Sequence, residues 1–120
     1  VSNRYNELVL DFKGGYSVEF RAFNDGIAYR FITNKKGMIN VKNETLQVNF
    51  PDNYLLHMQQ SGSFKTAYEE EYTHLYSKEW KSSASMALLP ILIDTQKGSK
   101  ILISETWQQW YGFCISQSTS

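Results

Sequence analysis

The sequence holds one cysteine, two prolines and no excess charge of either sign. Cys114 stands alone, so no intrachain disulfide can staple the fold, and a single thiol does not decide the compartment. Twelve lysines and arginines balance twelve aspartates and glutamates. A neutral chain lacks the basic surface that nucleic acid or an anionic membrane would favour, which argues against both as partners. No apolar run approaches the roughly 18–20 residues that cross a bilayer. The longest, Met86–Ile93, is interrupted by Pro90. No basic and apolar leader stands at the start, and the chain opens on Val1 rather than Met, as expected of a processed or excised polypeptide. A Gly-x-Ser-x-Gly elbow, a phosphate-binding glycine loop and a calcium loop of alternating Asp/Asn are all missing.

What is present is apolar and aromatic material in alternation. Hydrophobic residues make up 42% and aromatics 15% of 120 residues, enough for one core in one domain, 1–120. Leu8, Leu10 and Phe12 alternate with Val9 and Asp11, and Lys13-Gly14-Gly15 ends the run. Tyr16, Val18, Phe20 and Ala22 share one strand face, with Ser17, Glu19 and Arg21 on the other; Ile27, Tyr29, Phe31 and Thr33 repeat the pattern after Asn24-Asp25-Gly26. That is a hairpin signal. Keeping both apolar faces on one side allows two registers. A two-residue Asp25-Gly26 loop sets Arg21 opposite Arg30. A four-residue loop, Phe23 to Gly26, sets Glu19 opposite Arg30 and Phe20 opposite Tyr29, pairs favourable by roughly 0.2–1 kcal/mol each. The Asp-Gly dipeptide is a signal for the first, but cross-strand charge favours the second, which is the register expected.

The alternation continues over Met38–Phe50 and predicts another strand. Pro51 to Trp80 is irregular and reads as a long decorated connection. Ala84–Asp94 is a nearly continuous apolar strand with Pro90 inside it, so it is an edge, bulged, or two pieces. Gln96-Lys97-Gly98 turns the chain into a compact strand, Lys100–Glu105; Tyr111–Ser116 is a last strand, and 116–120 a frayed polar tail. The fold class is all-β, an antiparallel β-sandwich or part of one.

Chemistry-bearing residues are sparse. His57 and His74 lie 17 apart with no further Cys or His at metal-ligand spacing, so they read as surface or loop histidines rather than a zinc site. Glu69-Glu70-Glu71 reads as a solvated acidic face. Flat aromatic rings match the apolar faces of sugars, so Trp80, Trp107, Trp110 and Tyr111 form either a carbohydrate platform or core and domain-interface packing. Glu105 stands where the Ile101–Glu105 strand ends, which by composition alone is an ordinary polar strand end.

Three segments carry a resemblance. Arg4-Tyr-Asn-Glu-Leu8 with Glu19-Phe-Arg-Ala-Phe-Asn-Asp-Gly-Ile-Ala-Tyr-Arg-Phe31, then Tyr68-Glu69 with Tyr72-Thr73 and Ser77-Lys-Glu79, then Pro90-Ile-Leu-Ile93, Lys97-Gly98 and Ile101-Leu-Ile-Ser-Glu105 resemble, in order and spacing, the N-terminal domain of glycoside hydrolase family 97. The resemblance implies a galactose-mutarotase-like β-supersandwich, of which this chain is a fragment, packed on a catalytic (β/α)8 barrel. It implies exo-acting α-glucosidase or α-galactosidase chemistry on α-linked oligosaccharides, by carboxylates of the barrel, in an exported, periplasmic or secreted bacterial protein. It also implies a calcium ion beside the substrate, with Glu105 as the ligand lent by this domain. The chain alone is then not an enzyme. A stand-alone carbohydrate-binding module using Trp107, Trp110 and Tyr111, or a structural or oligomerising β-domain, is the other expectation.

Overall fold

The computed structural model describes residues 4–42, 44, 46–63, 69–80, 86–105 and the strand 114–115. Within them the chain is all-β: eight strands in two antiparallel sheets and no helix. It groups into two compact units, Val1–Leu46 and Gln47–Ser120.

The first unit is a three-stranded meander. β1 (Asn6–Phe12), β2 (Tyr16–Ala22) and β3 (Ile27–Thr33) pair in the order β1-β2-β3. Gly14 and Gly15 take φ of 119° and 77° in the first turn, a region closed to most side chains, which is why the Gly-Gly pair stands there. The second turn settles the register. Glu19 pairs with Arg30 and Phe20 with Tyr29, and Phe23 N–H donates to the Gly26 carbonyl at 2.8 Å, closing a four-residue loop. Gly26 is not in the left-handed region that a tight primed turn requires. Cross-strand charge therefore prevails over the dipeptide signal.

That charge is concentrated on Glu19. Its carboxylate accepts from Arg30 (Nη2 2.7 Å, Nε 3.1 Å) and pairs with Arg21 Nη2 at 2.8 Å, while Arg21 Nε donates to Glu7 at 3.0 Å and its guanidinium lies over the Tyr5 ring. Alternation assigns Ser17 and Glu19 to the polar face, yet both are buried, Ser17 donating to Asp11 at 2.6 Å and Glu19 held between Arg21 and Arg30. On the other face Leu8, Leu10, Phe12, Tyr16 and Phe31 remain exposed; only Val18 is buried. The expected strand over 38–50 is not formed: its described residues are irregular, and Met38, Val41 and Val48 are exposed. Alternation makes a segment able to form a strand, but a ladder partner is still needed.

The second unit carries a compact core. β4 (Leu55–Ser61), β5 (Tyr72–Tyr76), β6 (Met86–Asp94) and β7 (Lys100–Ile103) run in the order β5-β4-β6-β7, and β8 (Cys114–Ile115) also pairs with β6. The expected irregular connection over 51–80 thus holds two strands. They carry few β-branched residues, and a single alternation, Leu56 and Met58 inward with His57 between, marks β4. Burial from pairing on both edges holds that strand where propensity is weak. Leu56, Met58, Trp80, Ala87, Ile91 and Ile93 form the core, with Phe50, Tyr54, Leu75, Leu89 and Ile103 packed on it. Met58 and Ile93 are fully enclosed, each worth about 1.5–3 kcal/mol of burial. Trp80 is therefore a core residue, not part of a sugar platform.

The strand containing Pro90 is internal rather than an edge. It pairs with β4 on one side and with β7 and β8 on the other. Its register on β4 shifts between His57 and Gln59, so Met58 alone faces Leu89, Pro90 and Ile91. A residue without an N–H is seated in a bulge where the ladder is already broken.

The ion pairs give an acid-stability prediction. The hydrogen bond from Arg30, with the charges of both arginines, holds the Glu19 carboxyl below its ordinary value of 4.5. Lys97 does the same for Asp52, and Lys100 for Asp94. A depressed carboxyl contributes stability above its unfolded value and loses it as pH falls through the folded one. Urea unfolding followed from neutral pH into acid is expected to show a steepening loss of stability below about pH 4.5, and Glu19→Gln is expected to flatten that slope.

Candidate functional site

Glu105 lies just past the end of β7, and its position follows from the pairing around β6. Residues Ala87 and Leu88 pair with β4 and with β8; Leu92 and Ile93 pair with β4 and with β7. A strand has two edges, so β7 and β8 share the edge opposite β4, both antiparallel to β6. Ile103 pairs with Ile91, and Cys114 with Leu88. Between those anchors β6 has only Leu89 and Pro90, whereas the outer chain has residues 104 to 113. β7 ends at Ile103, and Ser104 and Glu105, both exposed, lie outside the ladder. The expected strand Lys100–Glu105 is thus two residues shorter. Trp107, Trp110 and Tyr111 lie outside the described residues.

The approach to Glu105 is fixed at the other end of β7. Asp94 accepts from Lys100 Nζ at 2.6 Å and from the Gln96 N–H at 2.8 Å, which places its carboxyl below the ordinary range, chiefly through Lys100. Thr95 N–H and Oγ1 both donate to the Ser99 carbonyl, at 3.1 and 2.8 Å. Gly98 turns the chain at φ 87°. Lys97 Nζ donates to Asp52 at 2.6 Å and ties the turn to the start of β4. A hairpin pinned by these bonds carries the chain to a defined exit at Ile103.

A carboxylate there is a hard oxygen donor suited to calcium, but one ligand is far short of six to eight. Among the described residues no three His, Cys, Asp or Glu side chains converge to hold a metal. Glu69, Glu70 and Glu71 lie exposed in the irregular segment before β5, as a solvated acidic face does. Among the described residues no helix is long and apolar enough to cross a membrane.

The second constellation is one that sequence spacing hides. His57 on β4 and His74 on β5 are direct cross-strand partners, not loop histidines, with Nδ1 atoms 2.6 Å apart and ring centroids 4.8 Å apart at 68°. The signal was the alternation Tyr72-Thr-His-Leu-Tyr76 beside Leu55-Leu-His-Met58. Each places its histidine next to an inward leucine, so recognising both strands would have put the two rings on one face.

A family described as Glycosyl-hydrolase 97 N-terminal matches residues 1–117. The retaining alpha-galactosidase of Bacteroides thetaiotaomicron is 31% identical over 125 residues, covering 97% of this chain and 19% of its own length. The chain thus spans about a fifth of the curated relative it matches.

Asp94 supplies the prediction for this region. Asp94→Asn keeps an acceptor for the Gln96 N–H but removes the charge that pairs with Lys100. Amide exchange measured at Lys100–Ile103 is expected to accelerate while β4 amides are unchanged, and the difference from wild type is expected to vanish as pH falls through the Asp94 carboxyl.

Proposed function

This chain belongs to the glycosyl-hydrolase 97 N-terminal family, and on that premise we propose that it is the non-catalytic β-domain segment of an exo-acting α-glycosidase. Its partner is a (β/α)8 barrel that carries the catalytic carboxylates and cleaves an α-linked oligosaccharide, in an exported or periplasmic setting. All 120 residues serve as part of one larger N-terminal domain. The observation that carries the reading is the match across residues 1–117, set beside a relative named for galactosidase chemistry most of whose length lies beyond the match.

Within that reading, the role of this chain is positional. Glu105 is lent as one oxygen ligand to a calcium ion shared with the barrel, which supplies the other ligands. Calcium bound there supplies electrostatic stabilisation and a template for substrate. The chain's own residues hold Glu105 at a fixed place: the Asp94–Lys100 pair and the Thr95–Ser99 turn set the start of β7, and the Ile91–Ile103 pairing sets its end. The exposed carboxylate beyond that pairing supports the assignment. Its chemistry fits calcium, a hard cation that takes oxygen ligands.

Two measurements test the proposal. The purified chain is expected to leave aryl α-glucosides and α-galactosides intact; turnover abolished by changing one of its own carboxylates overturns the non-catalytic assignment. Calorimetry with calcium is expected to show only weak binding to the chain, and tight binding that survives Glu105→Gln overturns the role of Glu105.

A further inference from the structure

The His57–His74 pair has no part in the reading above. It lies on β4 and β5, while Glu105 follows β7 in the same sheet. We propose that it is a binding site for a borderline divalent transition metal of the zinc class, held by the two Nδ1 atoms and completed by water.

Two observations lead there, the direct pairing of the histidines and the close approach of their Nδ1 atoms. Direct cross-strand partners have Cβ atoms about 4.5–5.5 Å apart on one face, so the sheet brings the two rings together without help from flexible loops. The Nδ1 atoms converge to 2.6 Å, which means that one N–H now donates to the other lone pair. A tetrahedral ion with Zn–N bonds of about 2.0–2.1 Å needs the nitrogens about 3.4 Å apart. Opening the pair by under about 1 Å is within ordinary side-chain rotation, and the proton on the donating Nδ1 moves to the Nε2 of the same ring as the metal takes both lone pairs.

The surroundings admit an ion. His74 is exposed, so water reaches the remaining coordination positions. β4 is internal and its neighbours on the core side, Leu56 and Met58, are buried, so the strand carrying His57 is firmly held. Asp94 shares a face with His57 through the Leu55–Asp94 and His57–Leu92 pairings, and its carboxylate brings negative charge to that face. Lys100 offsets part of that charge through its bond to Asp94, so the carboxylate is counted as field and not as ligand. Imidazole nitrogen selects zinc, copper or nickel over calcium, which separates this site chemically from the one assigned to Glu105.

Zinc chloride titrated into the chelator-treated chain near neutral pH, with long-range 1H–15N spectra of the imidazoles, tests the proposal. The expected result is a saturable shift of the Nδ1 resonances of both histidines at one ion per chain. His57→Gln and His74→Gln are each expected to weaken binding at least about tenfold, and Glu105→Gln is expected to leave it unchanged. Imidazole resonances of the folded wild type that stay in place in excess zinc overturn the site, as does binding that persists in both glutamine variants. The wild-type spectrum reads the nitrogens directly and does not depend on either variant folding.

Discussion

The second sheet is organised around a missing hydrogen-bond donor. Pro90 sits in the middle of β6, the strand with the most neighbours, and cannot contribute an N–H to either ladder. The sheet responds on both edges. Toward β4 the register slips across Met58, and three residues of β6 occupy the span of one. Away from β4 the neighbour changes identity: β7 covers Ile91–Asp94 and β8 covers Ala87–Leu88. Glu105, the proposed calcium ligand, stands two residues past the end of β7.

The two units are stabilised differently. In the second, Met58, Ile93, Leu56, Ile91 and Ala87 are enclosed, and removal of their apolar surface from water supplies most of the stabilisation. In the first, the buried centre of β2 is a carboxylate between two guanidiniums, with Glu7 and Tyr5 completing the set. An ion pair whose arginines reach solvent is weak evidence for stability and better evidence for register. Here Glu19 opposite Arg30 selects the four-residue loop over the alternative that would set Arg21 against Arg30.

The same logic explains which features were legible in the sequence. Local and nearest-neighbour signals were: the Gly14-Gly15 turn, the hairpin register through Glu19 and Arg30, the bulge at Pro90, the Lys97-Gly98 turn. Long-range pairing was not. β4 reads as Leu-Leu-His-Met-Gln-Gln and becomes a central strand only because β5 and β6 flank it. Met38–Phe50 has better alternation and forms no strand among its described residues. His57 and His74 are ordinary at a separation of 17 and become a pair only when β4 meets β5. The family resemblance, by contrast, rested on wording and needed no pairing to be read. Glu105 was singled out by the Ile-Ser-Glu wording alone, and the structure adds that it lies exposed just past β7.

The proposed function is a division of labour: a β-domain fixes one carboxylate at the end of an edge strand, and a barrel supplies the rest of the ion's shell and the chemistry. The most direct measurement is a crystal structure, with calcium, of the polypeptide in which this chain is joined to its barrel. The expected result is a calcium ion with a Glu105 carboxylate oxygen within about 2.3–2.6 Å and the remaining oxygens from the barrel, substrate or water. A calcium shell completed without Glu105, or a Glu105 carboxylate directed away from the barrel, contradicts it.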